Sequence, residues 1–159
     1  MAPIMAHNRP RVRHAAEMTS QTQPSSQPTS LPRTLARLLL GAFLAFAGIG
    51  HLTFLRKEFQ AQVPSWFPVD TDLVVLASGA VEITLGSALL LWARRRVTIG
   101  FVVAAFFIAV FPGNIAQYVE HKDAFGLDTD GKRLARLFGQ PLLVAWALWS
   151  TGALRDRRR

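Results

Sequence analysis

Six polar side chains interrupt long apolar stretches of the sequence: His51, Glu82, Asn114, Gln117, Arg136 and Gln140. Their types fit proton handling and polar recognition. A carboxyl and an imidazole take up or release protons; a guanidinium pairs with a carboxylate or a carbonyl; carboxamides donate and accept. Several other chemistries are not written here. The chain has no cysteine, which excludes thiolate nucleophiles, disulfide relays and thiolate metal sites. One His and one Glu do not make a metal site, and no HExxH spacing occurs. Asp128 and Asp130 are too short a pattern for a calcium loop. There is no Gly-rich phosphate loop and no arguable serine triad.

The elements that must position these residues are four apolar blocks of about 20 residues, at 35–55, 73–92, 97–119 and 134–154. Half of the residues are apolar and the mean hydropathy is +0.24. At a helical rise of about 1.5 Å per residue, each block crosses a hydrocarbon layer of roughly 30 Å. The blocks do not alternate as barrel strands do, and unpaired backbone groups are too costly in lipid, so helices are required. The expected fold is all-α: a bundle of four transmembrane helices over residues 33–155. A disordered tail is expected at 1–32, where positions 19–30 use only Ser, Thr, Gln and Pro. Residues 156–159 form a basic end. The first 30 residues lack the apolar core of a secretory leader, so the first block is expected to direct insertion. Pro112 and Gly113 are expected to break the third block, and Pro141 to kink or start the fourth.

Charge sets the expected orientation. Twelve of the 18 Lys and Arg residues lie in the N-terminal segment through Arg37, in the 94–96 turn and at the C-terminus; six lie in the other two connections. The richer side belongs in the cytoplasm, so both termini are expected inside the cell membrane. The net charge of +8 could indicate nucleic acid. That reading is set aside because the basic residues flank the apolar blocks and form no stripe. The lipid bilayer is the expected partner. Trp66, Phe67, Trp92 and Trp149 are the expected interfacial anchors, with Trp146 and Trp149 turned towards lipid. The tight 94–96 turn predicts that the second and third blocks pack as antiparallel neighbours.

Helical spacing places Ser78, Gly79, Glu82 and Gly86 on one face, and Gly41, Ala45 and Gly48 on another, with His51 at its edge. With both termini inside, the six polar residues fall in the outer half of the bundle, and the inner half is nearly all apolar. This predicts a polar pocket opening outward, with Glu82 at its floor and Arg136 as its counter-ion. A charge in mid-span costs roughly 2.5–3.5 kcal/mol on insertion scales, so it turns inward to a partner. The same residues could equally be a structural ion pair and interhelical hydrogen bonds.

Five motifs in order resemble the DoxX-like family of small membrane proteins. They are Gly48-Ile49-Gly50-His51, the loop Val63-Pro64-Ser65-Trp66-Phe67-Pro68, Ser78-Gly79…Glu82…Gly86, Phe111-Pro112-Gly113-Asn114-Ile115, and Arg136…Gln140-Pro141…Trp146-Ala147. The resemblance covers residues 34–154, with departures at Gly113 and at Phe138-Gly139. It implies a four-helix membrane protein associated with membrane-bound, quinone-linked oxidoreductase assemblies. The leading expectation is a non-catalytic subunit or accessory factor, partnered by oxidoreductase subunits or by copies of itself, with a quinone in the outer pocket. One alternative is a quinone-binding oxidoreductase using Glu82 and His51 for protons. Another is a small transporter or lipid-binding protein. The sequence offers no haem pair, flavin motif or cluster ligands for stand-alone catalysis, and no inverted repeat typical of a secondary transporter.

Overall fold

Prolines and cap residues decide where the helices begin. The computed structural model describes residues 29–156; the rest of the expected tail and basic end lies outside them. Helix α1 (Leu31–Leu52) takes Pro32 into its first turn, where a missing N–H costs nothing. Leu31 and Pro32 therefore belong to the helix and not to the tail. A short helix, α2 (Arg56–Gln60), occupies part of the connection that follows. Helix α3 (Thr71–Leu91) starts at Asp70, whose carboxylate accepts from the Leu73 N–H at 2.9 Å. A single 3₁₀ turn, Ala93–Arg95, leads into α4 (Arg96–Val119). Helix α5 (Asp130–Thr151) is capped by Thr129 and ends at Gly152, which adopts a left-handed φ of 80°. The last turn is α6 (Ala153–Asp156).

The expected break at Pro112–Gly113 does not occur: α4 runs through both residues, as α5 runs through Pro141. Pro112 leaves the Ile108 carbonyl without its helical donor. The neighbouring carbonyl, that of Phe107, accepts from Gln140 Nε2 of α5 at 2.6 Å. A side chain of the facing helix thus reaches the carbonyl next to the one that proline leaves free.

Three seams hold the helices together. The tightest joins α1 to α3. A Cβ at Gly48 would lie 2.6 Å from the Gly79 carbonyl oxygen, and one at Gly86 would lie 2.6 Å from the Ala45 nitrogen. The two small-residue faces are thus each other's partners, and only glycine permits this approach. A second broad seam joins α4 to α5, and a lesser one joins α1 to α5. The tight turn does not make α3 and α4 close neighbours; their contact is sparse. The connection 56–72 wedges between them, bringing the Gln62 carbonyl oxygen to 2.5 Å from where a Gly113 Cβ would stand.

The apolar core occupies the half of the molecule nearest the 93–95 turn, built from Leu40, Leu44, Leu89, Ile99, Val103, Phe107 and Ala147. That half is less uniformly apolar than expected. Arg37 and Arg96 are both buried there, as are Ser150 and Thr151. The Thr151 hydroxyl donates back to the Ala147 carbonyl at 2.7 Å. Among the described residues three segments are long and apolar enough to cross a membrane: Leu31–Leu52, Thr71–Leu91 and Ala93–Val119. Helix α5 matches them in length, but its first two turns carry Asp130, Lys132, Arg133 and Arg136.

Candidate polar pocket

At the end opposite the apolar core, four long helices and two connections converge on one group of polar side chains. His51 lies in the last turn of α1 and is 6% exposed. It can sit there because position 79 has no side chain; a Cβ at Gly79 would lie 2.6 Å from the His51 Cβ. His51 Nδ1 stands 2.9 Å from the Ala47 carbonyl oxygen and 3.0 Å from Glu82 Oε2. Both neighbours are acceptors, so this nitrogen carries the hydrogen and the ring exposes Nε2 as its other polar atom. The hydrogen is directed at Ala47. The contact with Glu82 is therefore electrostatic, and Glu82 Oε2 remains a buried acceptor without a donor. A buried oxygen in that state costs about 1–3 kcal/mol.

Arg136 belongs to a different chain of bonds. Its Nε donates to Asn114 Oδ1 at 3.1 Å, Asn114 Nδ2 donates to Gln140 Oε1 at 2.9 Å, and Gln140 Nε2 reaches the Phe107 carbonyl. With its amide turned to satisfy both ends, Gln62 accepts from Arg136 Nη1 at 3.3 Å and from Nη2. A guanidinium has five N–H donors, so capacity is left after these partners. The predicted Glu82–Arg136 ion pair is not made; the ring nitrogen beside Glu82 is that of His51. Arg136 finds neutral oxygens instead, because Asn114 and Gln62 reach it first.

Two phenylalanines link the halves of the site. The Phe59 ring stacks on His51 at 3.3 Å between centroids, and Phe125 meets Phe59 edge-on at 4.7 Å. The Arg136 guanidinium lies 4.8 Å from the centre of the Phe125 ring, a cation–π contact. Phe125 takes a left-handed φ of 56°, which a bulky side chain adopts only when its surroundings hold it there. The hold is Glu58 of α2, whose carboxylate accepts from the Phe125 N–H. Glu120 and Lys122 extend this clasp. Glu120 accepts from the Ser65 hydroxyl at 3.1 Å and pairs with Lys122 at 2.7 Å, and Lys122 donates to the Val63 carbonyl at 3.0 Å. The ammonium of Lys122 and then the Ser65 hydrogen bonds hold the Glu120 carboxyl below the usual carboxylate range. The two connections at this end are in this way tied together as a roof, so the pocket does not open outward as expected.

Beneath the roof is a cavity of about 300 Å³. His51, Glu82, Asn114, Arg136 and Gln140 line it, with Phe59, Gln62 and Phe125. Five of the six predicted residues thus share one cavity. Gln117 does not line it; it is buried apart, its amide donating to the Lys122 carbonyl at 3.4 Å. Of the expected anchors, Trp66, Phe67, Trp92 and Trp149 are all exposed. Trp146 is not turned to lipid as expected: it is half-buried and donates from Nε1 to the Ala36 carbonyl at 3.0 Å, because α1 passes within reach. Sequence reasoning missed Phe59, Gln62 and Phe125. The Phe125-Gly126 pair ahead of Thr129 was the available sign of a tight turn; nothing marked Gln62.

A second cavity of about 230 Å³ adjoins the first and shares His51, Phe59, Gln62, Ser78 and Val110 with it. It is otherwise apolar, walled by Val74 and Val75 of α3 and by Ala109 and Pro112 of α4. Among the described residues no group of three or more His, Cys, Asp or Glu side chains is placed to hold a metal ion.

Residues 40–151 match the family model described as "Domain of unknown function (DUF8561)", and the chain belongs to that family. No curated protein and no solved structure matches it.

Proposed function

We propose that this member of the family is a DoxX-like protein of the cell membrane with four spans. In this reading it is a subunit or accessory factor, not catalytic by itself, of a quinone-linked redox complex. Its pocket receives the quinone head group. One observation carries the reading: the Glu82 carboxylate, whose Oε2 is buried without a donor, lines the same cavity as the donor-rich Arg136 guanidinium. That pairing fits the reduced ring, a hydroquinone with a hydroxyl at each end. Glu82 would accept from the hydroxyl of the reduced form, and Arg136 would donate to the opposite oxygen. The flat aromatic walls of Phe59 and Phe125 suit a planar ring between them. Electrons are handled by the partner subunits, since the sequence has no recognisable carrier site.

The fourth span is α5. From Leu134 onward its outward residues are apolar, with Phe138 and Leu142 each 69% exposed, while Arg133 and Gln140 are buried. Such an inverted helix suits hydrocarbon outside and a polar seam within. The distribution of basic residues supports both termini inside, and a reporter fused after Arg159 is then active only when it functions in the cytoplasm.

The test is purification of the full chain from its native membrane in mild detergent, with identification of bound quinones and co-purifying chains. The reading predicts a quinone and at least one oxidoreductase subunit. A chain that runs alone, with no quinone extractable from it, contradicts it.

A further inference from the structure

We infer that the apolar cavity between α3 and α4 seats the hydrocarbon tail of the ligand whose head group occupies the polar pocket, so that the ligand is a tailed quinone entering sideways from the bilayer; this rests on the pocket reading above. Four observations lead there. The two cavities are continuous in their walls, with His51 and Ser78 lining both. Beyond those residues and Gln62 the second cavity presents carbon, as at Val74, Ala109 and Pro112. It lies along the seam of sparsest helix contact, next to outward apolar residues such as Leu73 and Ile108, 57% and 61% exposed. Last, the end of the pocket facing away from the core is roofed. Three cross-connection bonds close it: Phe125 N–H to Glu58, the Ser65 hydroxyl to Glu120, and Lys122 to the Val63 carbonyl.

The physical argument is one of matched surroundings. A ligand tail exchanges lipid for the apolar cavity at little cost, because both are hydrocarbon. Its polar head then leaves the lipid for the polar pocket that adjoins that slot. Gly113 contributes by its lack of a side chain. It lets the Gln62 segment lie against α4, so that the connection forms one wall of the cavity.

The experiment uses the full chain in phosphatidylcholine nanodiscs. Two probes are compared, each kept reduced to the hydroquinone: dimethoxy-methyl-benzoquinone without a chain and the same ring carrying a decyl chain that ends in a diazirine. On illumination the tailed probe is expected to label Val74, Ala109 or Val110, and an excess of the unlabelled ring is expected to suppress this. Ala109→Phe and Val74→Phe, which fill the slot, are each expected to weaken the tailed probe about tenfold and to leave the ring alone within about twofold. Circular dichroism and size-exclusion elution establish that both variants fold. Label spread over lipid-facing positions such as Phe138 and Leu142 overturns the inference. So does a slot variant that leaves the tailed probe unaffected, or weakens both probes equally. If the wild type binds neither probe saturably, the pocket reading itself fails and takes this inference with it. If it binds the ring but labels no slot residue, only this inference is lost.

Discussion

Helix α3 has two flanks, and they are built on opposite principles. Towards α1, glycines at 41, 48, 79 and 86 remove every side chain that would keep the backbones apart. Towards α4 the contact is sparse, a cavity lies between Val74 and Ala109, and the 56–72 connection packs against Gly113. Lipid tails are as apolar as a leucine face, so the hydrophobic effect does not force the second flank to close. Close packing has to be specified by small residues, and where it is not, a slot remains. The pocket lies where the two flanks meet: Gly79 admits His51 on the closed side, and the open side leaves His51 facing a cavity.

Equal enlargements on the two flanks break this comparison most sharply. Gly48→Leu drives a side chain into the Gly79 carbonyl and is expected to cost about 3 kcal/mol, the upper end of overpacking penalties. Ala109→Leu on the open flank is expected to stay within about 0.5 kcal/mol. Reversible unfolding in mixed micelles measures both. Similar losses at the two positions would mean that the flanks do not differ.

Within the pocket the effects are smaller and lie in couplings. The His51→Ala and Glu82→Gln pair is expected to show an interaction energy of about 1 kcal/mol, because the groups touch. The Glu82→Gln and Arg136→Gln pair is expected to add within about 0.5 kcal/mol, because Arg136 is engaged by Asn114 and Gln62. A large coupling in the second cycle would restore the ion pair that the sequence pattern favours.

The roof gives the smallest effect, and it depends on pH. The Glu120 carboxyl is held low in the folded chain by Lys122 and Ser65. A lowered folded pKa stabilises above the ordinary carboxylate range, and that contribution is lost as pH falls through the folded value. The wild type should therefore lose more stability than Glu120→Gln between neutral pH and about pH 3. Equal acid sensitivity in the two proteins would remove Glu120 from the roof.

Much of the fold could be read from the chain. The long apolar blocks predict the four long helices, with ends shifted by a few residues where Pro32 and Asp70 set the start. The small-residue faces of α1 and α3 were visible as helical stripes. The pocket was visible as a set of polar residues at similar depth, since a polar group among apolar neighbours is conspicuous. What stayed hidden was pairing. Depth alone makes Arg136 as good a partner for Glu82 as His51, and only the rotation of α1 against Gly79 selects the histidine. Arg37 and Arg96 were counted as topology signals, and their burial depends on how α1 and α4 meet. Phe59, Gln62 and Phe125 come from connections, whose paths no periodicity records.

The claim at the centre is that His51, Glu82 and Arg136 form one ligand site. Titration of the wild-type chain in nanodiscs with the tail-less benzoquinone, kept reduced to its hydroquinone, tests it most directly, beside His51→Ala and Arg136→Gln variants shown to be folded. Saturable binding of one molecule per chain, weakened about tenfold or more by either substitution, is the predicted result. Binding that is linear in concentration, or that ignores both substitutions, would contradict it.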